Sequence, residues 1–285
     1  MPFTISHAAA VLPFVRRDGS GRGRLVPSLL VAGSFAPDVT YFLAGAVPGA
    51  MEFGDFTHSF PGVLTVDAVI APALVALERL IREPVLALLP RWPRERVAAL
   101  LRGPGGGPGP QWPWWWYGSA VLGAVTHVVW DAFTHPGRWG TRIFPVLSEN
   151  VAGSPLYWYV QYGTSALALV IVAMFVRRAV RGARDVVPVA AAPVRLRWAA
   201  CALIGGCVCG CAELRVVRRL AYVDEAGLAR KPWEIVPTLC FGAGAGLVLG
   251  LLLYAVVVRA RRPGRRPADP AARGRTTEPS RPGVH

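Results

Sequence analysis

The chain has 285 residues, 53% hydrophobic and 17% charged, with a mean hydropathy of +0.39 and a formal charge of +14. An ordinary soluble domain carries about 25% charged residues, so the composition excludes one and points to a polytopic membrane protein. The charge suggests nucleic acid, but its placement argues against a specific nucleic-acid partner. Of the 31 basic residues, 24 fall in the N-terminus to Arg24, Arg79–Pro113, Arg177–Arg197 and the tail from Arg259. That is the positive-inside bias, and it predicts a multi-pass protein with both termini in the cytoplasm.

In chain order, residues 1–24 form an apolar, histidine-containing segment followed by an Arg/Gly-rich turn. The arginines follow the apolar stretch instead of preceding it, so the segment does not read as a signal peptide. Six apolar stretches then predict an all-α transmembrane bundle: Leu25–Val47, Gly62–Leu80, Trp116–Phe133, Tyr157–Val176, Leu196–Leu214 and Ile235–Val258. Each is roughly 18–24 residues, enough to cross a core of about 30 Å. The first and third are interrupted by Asp38, His127 and Asp131. Between the second and third spans, Arg82–Arg102 mixes arginine with leucine and tryptophan and predicts an interfacial helix broken by Pro90 and Pro93. A Gly/Pro linker, Gly103–Pro110, precedes the aromatic run Trp112–Tyr117, which reads as an interfacial belt. Cys201, Cys207, Cys209 and Cys211 lie too close together for a usual zinc pair and read as small packing residues. Arg215, Arg218, Arg219, Arg230 and Lys231 fall in a loop that this topology places outside. They fit either anionic headgroup contacts or a misplacement of the last two spans. The tail from residue 259 has almost no apolar residue and reads as disordered. The organisation expected is therefore a metal-site membrane domain at 1–150, a C-terminal helical half at 151–258 and a basic tail at 259–285.

Chemistry concentrates before residue 150, in four polar islands: Ser6-His7, Ala36-Pro37-Asp38, Thr57-His58-Ser59 and His127-Val-Val-Trp-Asp131-Ala-Phe-Thr-His135. His127 and Asp131 are four apart, on one helix face, and buried ionisable groups in a membrane need a partner or a metal. Counting about 1.5 Å per helical residue from the flanking arginines and Tyr117 puts His7, Asp38, His127 and Asp131 at similar depth in the outer half of the membrane. Three histidines and two aspartates, with His135 beside them, suffice for one ion or a two-metal cluster. Imidazole with carboxylate suits zinc, with manganese or iron also served. His135, before Pro136, is open to a role as ligand, supporting group or general acid. Asp67, inside the second span, is expected to orient a ligand from behind. Arg138 and Arg142 follow the site, and their guanidinium forks suit phosphate or lipid headgroups alike.

These motifs, with Phe-Thr-Ile-Ser-His7, Gly33-Ser-Phe-Ala-Pro37-Asp38, Thr57-His58-Ser59 and His127-x-x-x-Asp131 in that order, resemble the domain-of-unknown-function 4184 family. That family is related to the LexA-binding, inner-membrane-associated group named for metal-dependent hydrolases, which is remotely similar to zinc-dependent phospholipase C and P1 nuclease. The resemblance covers about residues 1–150. It implies His7, Asp38, His58, His127 and Asp131 as metal ligands, and a multi-pass protein of the bacterial inner membrane. The expectation is a membrane-bound, metal-dependent hydrolase of phosphoesters or lipids, with Asp131 or His135 holding the attacking water and Arg138 and Arg142 binding substrate. The alternative is a non-enzymatic scaffold or adaptor whose cluster is a structural metal or hydrogen-bond lock. A transporter would need polar residues in the last three spans, which offer almost none.

Overall fold

The computed structural model describes residues 3–102, 113–183, 188–228 and 232–261, so the Gly/Pro linker and nearly all of the basic tail lie outside the described residues. The fold is all-α apart from one short hairpin. The N-terminus is a chain of short turns: a 3-10 turn at Thr4–His7, α1 at Ala8–Val11 and a 3-10 turn at Leu12–Phe14. It is tucked against the bundle with His7 and Val11 fully buried. A tight turn follows, closed by the Arg22 N–H on the Phe14 carbonyl at 2.9 Å.

The first predicted span is not one helix. It is α2 at Pro27–Phe35, a 3-10 turn at Ala36–Asp38 and α3 at Val39–Leu43. The cause is Pro37, which has no N–H to give to the carbonyl one turn before it, although the backbone stays helical at Ala36. Asp38, in this 3-10 turn, is buried. Gly49, at φ +79°, opens α4 at Ala50–Thr57. A long continuous helix then begins as α5 at Phe60–Gly62, passes through a π-helical turn at Val63–Asp67, and runs on as α6 at Ala68–Leu88. The Ser59 hydroxyl caps it by accepting from the Gly62 N–H at 3.2 Å. The interfacial stretch forms α7 at Arg91–Arg102. The break falls at Pro90 alone, because Pro93 sits in the first turn, where a missing N–H costs nothing.

The third predicted span forms α8 at Pro113–Thr134, a single helix of 22 residues. After α9 at Trp139–Ile143, a 3-10 turn at Pro145–Ser148 and the hairpin of β1 (Asn150–Val151) and β2 (Ser154–Pro155), three long helices complete the chain: α10 at Leu156–Gly182, α11 at Val194–Glu225 and α12 at Pro232–Ala260. Among the described residues four helices, not six, are long and apolar enough to cross a membrane: Phe60–Leu88, Leu156–Gly182, Val194–Glu225 and Ile235–Ala260. Their outward faces expose large apolar side chains, among them Leu167, Val170, Val217 and Val256, as a lipid-facing surface does and a water-facing one rarely does.

Small residues set the helix contacts. A Cβ on Gly246 would come within 2.2 Å of the Cys207 carbonyl oxygen, and one on Gly250 within 2.9 Å of the Ile204 Cα. Thus α11 and α12 pack backbone to backbone, as small residues permit in lipid. All five cysteines are free thiols. Arg215 and Arg218, predicted in an external loop, belong to α11. They donate to the carbonyls of Tyr41 at 2.6 Å and Gly45 at 2.9 Å, satisfying the C-terminal end of α3. Arg230 and Lys231 lie outside the described residues.

Candidate metal centre

The site is built where α2 crosses α8. A Cβ on Gly33 would come within 2.2 Å of the Ala120 carbonyl oxygen, and one on Gly123 within 2.2 Å of the Leu30 carbonyl oxygen. That approach lets His127, one turn beyond Gly123, donate its Nδ1–H to the Ser34 carbonyl of α2 at 2.7 Å. His58, at the end of α4, is held in the same way, its Nδ1 lying 2.8 Å from the Gly54 carbonyl. A carbonyl only accepts, so each Nδ1 carries the proton and each Nε2 presents a lone pair. Both Nε2 atoms face the same place.

There they meet one oxygen from each of two aspartates. His58 Nε2 is 3.5 Å from Asp38 Oδ1 and 3.7 Å from Asp131 Oδ2. His127 Nε2 is 3.5 Å from Asp38 Oδ1 and 3.6 Å from Asp131 Oδ2. One donor atom from each of the four residues lies within 4.8 Å of the others, and all four residues are buried. These spacings are long for hydrogen bonds. They are close to the edge of a tetrahedron around an ion with bonds of 2.0–2.1 Å, about 3.4 Å. Among the described residues His127 Nε2 is buried without a hydrogen-bond partner, a costly state for a polar atom unless a ligand meets it. The residues present therefore fit a divalent ion.

The remaining carboxylate oxygens are occupied from outside this ring of donors. Thr4 donates to Asp38 Oδ2. The Thr134 hydroxyl lies 3.5 Å from Asp131 Oδ1, and His7 Nε2 approaches the same oxygen at 3.5 Å. His7 stacks on His127 with ring centroids 3.5 Å apart, and neither of its ring nitrogens has a hydrogen-bond partner. Of the five ligands the resemblance implies, four converge and His7 stands behind Asp131.

His135 sits at the rim, one-third exposed, with Nδ1 3.4 Å from Asp131 Oδ2 and Nε2 3.0 Å from the Gln161 side-chain amide of α10. Burial pushes its imidazole down to about 4. Arg138, also at the rim, pairs with Asp55 of α4 at 3.2 Å, while Arg142 is exposed at the end of α9. Asp67 departs from expectation. It is fully buried at the end of the π-helical turn, and neither carboxylate oxygen has a hydrogen-bond partner. Among the described residues it makes no hydrogen bond to His58 or to another donor of the cluster. The sequence reading missed Thr4, Asp55 and Gln161. Only Thr4 carried a signal, lying three residues before His7.

Among known proteins, residues 1–256 match the family described as Domain of unknown function (DUF4184). No curated protein and no solved structure matches the chain.

Proposed function

The chain belongs to the DUF4184 family, and on that premise we propose that it is a membrane-bound, metal-dependent hydrolase of phosphoesters, lipid phosphoesters included. The observation that carries the reading is the set of His–Asp donor spacings, 3.5–3.7 Å, that link His58 and His127 to both Asp38 and Asp131. In this reading residues 1–150 supply the donors and residues 151–258 brace them in the bilayer, with both termini cytoplasmic in a bacterial inner membrane. Two imidazoles and two carboxylates suit zinc, and manganese or iron would accept the same donors. A divalent ion held there supplies Lewis acidity and a nucleophile from water at neutral pH.

The protein's own groups divide the remaining work. Nδ1–H bonds to Ser34 and Gly54 fix the tautomers of His127 and His58. Thr4 fixes the rotation of Asp38. Asp131, with an oxygen turned to His7, and His135 at the rim are the groups suited to hold the water. Arg138 presents its fork at the rim for a phosphoryl oxygen, with Arg142 beside it.

The test is metal content by mass spectrometry on detergent-purified protein, beside the His127→Ala/Asp131→Ala double variant, followed by hydrolysis assays on a phosphodiester and on phospholipid vesicles. About one ion per chain in the wild type, absent from the variant together with turnover, is the expected result. Full occupancy in the variant would sink the ligand assignment, and no ion in either protein after reconstitution would sink the reading.

One observation favours a second reading. Four buried protein donors lie within 4.8 Å of one another; four protein ligands are the set of structural zinc sites, whereas catalytic sites keep a position open. The chain would then be a non-enzymatic scaffold or adaptor locked by a structural ion. It predicts that the double variant loses metal and stability while the wild type hydrolyses neither substrate.

A further inference from the structure

Tyr41 is the polar residue beside the cluster that the metal reading leaves without work. It lies on α3, three residues after Asp38. Its ring stands 5.3 Å from that of His58 and 5.5 Å from that of Phe241 on α12. Gly54 makes room for it: a Cβ there would fall within 2.2 Å of Tyr41 Cε1 and 2.8 Å of its hydroxyl. Arg215 holds its backbone carbonyl at 2.6 Å. The ring is thus fixed from three elements. Its hydroxyl end lies against α4, beside the residue preceding Asp55, within electrostatic reach of Arg138, Asp38, Asp55 and Asp131. Among the described residues that hydroxyl makes no hydrogen bond. A half-buried phenol usually finds a partner, and Arg138 of the rim is among the charges that act on this one.

The rim also holds a cation that an anion can recruit. The Arg138–Asp55 pair is weakly held, because Asp55 is 86% exposed and exposed ion pairs contribute at most about 1 kcal/mol. A tetrahedral oxyanion bound at the cluster would meet the Arg138 fork on one side and the Tyr41 hydroxyl on the other. Those donors match phosphate better than a neutral ester.

We propose that Tyr41 is a substrate-binding residue, donating its hydroxyl hydrogen to a phosphoryl oxygen that Arg138 also engages at the rim of the metal centre. The proposal rests on the metal reading above. It covers a soluble phosphoester and a lipid phosphate alike, since both present the same group.

The test measures binding of orthophosphate and of dioctanoyl phosphatidic acid to metal-loaded, detergent-solubilised full-length protein by calorimetry. Tyr41→Phe keeps the ring and deletes the hydroxyl. It should retain the wild-type metal content and bind both ligands about 10- to 100-fold more weakly, the loss expected for a hydrogen bond to a charged group. Tighter wild-type binding of the lipid than of orthophosphate assigns the source to lipid, and the reverse order assigns it to a soluble ester. Unchanged affinities in a Tyr41→Phe variant that holds its metal overturn the role of Tyr41 and leave the metal reading standing. A wild type that takes up no metal overturns both. If Tyr41→Phe loses metal, 3-fluorotyrosine at position 41 decides the matter: its 19F resonance should move on addition of orthophosphate, and a resonance fixed at saturating orthophosphate overturns the proposal.

Discussion

His58 and His127 show how a side chain is prepared before any ligand arrives. Each spends its Nδ1–H on a backbone carbonyl, Gly54 for one and Ser34 for the other, so ring rotation and tautomer are both fixed and only Nε2 points inward. Asp38 is prepared by Thr4 on its second oxygen. Thr4→Val deletes that bond while keeping shape, and metal affinity should fall about 10- to 100-fold, the usual effect of removing such a support; competition with a fluorescent chelator reads it, and an unchanged affinity would show that Thr4 does not set the carboxylate. His127 and Asp131 were legible in the sequence because a four-residue spacing on an apolar helix forces two ionisable groups onto one face. Tyr41 and the partner of Thr4 were not, because nothing local tells that a threonine near His7 reaches a carboxylate 34 residues away or that a tyrosine faces the cluster and not lipid.

The elements that matter are joined at glycines. Gly123 lets α2 lie against α8, and a Cβ there would meet Leu30 O at 2.2 Å and Ser34 N at 2.8 Å, both backbone atoms that have little room to shift. Gly123→Ala should therefore destabilise the protein by about 1–3 kcal/mol and release metal, because the His127–Ser34 bond depends on that approach. Gly118 lies on the same helix with nothing within 4 Å of an added Cβ, so Gly118→Ala should be neutral or slightly stabilising. Thermal unfolding in detergent with metal analysis checks the pair, and equal effects from both would remove the close-packing explanation. Hydropathy alone predicted a full span over Leu25–Val47. It missed that Pro37 divides the stretch into two short helices with Asp38 at the joint. It also counted α8 among the crossing helices, although that helix, carrying His127 and Asp131, is not among the four apolar enough to qualify.

At the scale of the whole molecule, the donors come from α8, from the kink after α2 and from the end of α4, with His7 behind them on the N-terminal turn. Elements widely separated in the chain are thus tied together by one buried set of charges. Binding of an ion to the folded state alone stabilises it by mass action, about 4 kcal/mol at a thousandfold excess over Kd. Chelator should accordingly lower the thermal midpoint, and added zinc should restore it. A midpoint indifferent to both would mean that the cluster holds no ion. The last three helices are less detached from the site than their sequence suggests: Gln161 reaches His135, Arg215 holds Tyr41, and Phe241 packs on the Tyr41 ring. The sequence by itself determined the all-α class with long apolar helices and singled out the candidate donors, because hydropathy and the cost of burying charge are properties of residue type and spacing. Only the tertiary structure decided that four of those donors share one centre while His7 stands behind it and Asp67 apart, and that Arg215 works inside the bundle. Those outcomes depend on how closely backbones approach at glycines and where a proline turns the chain, neither of which any local window of sequence encodes.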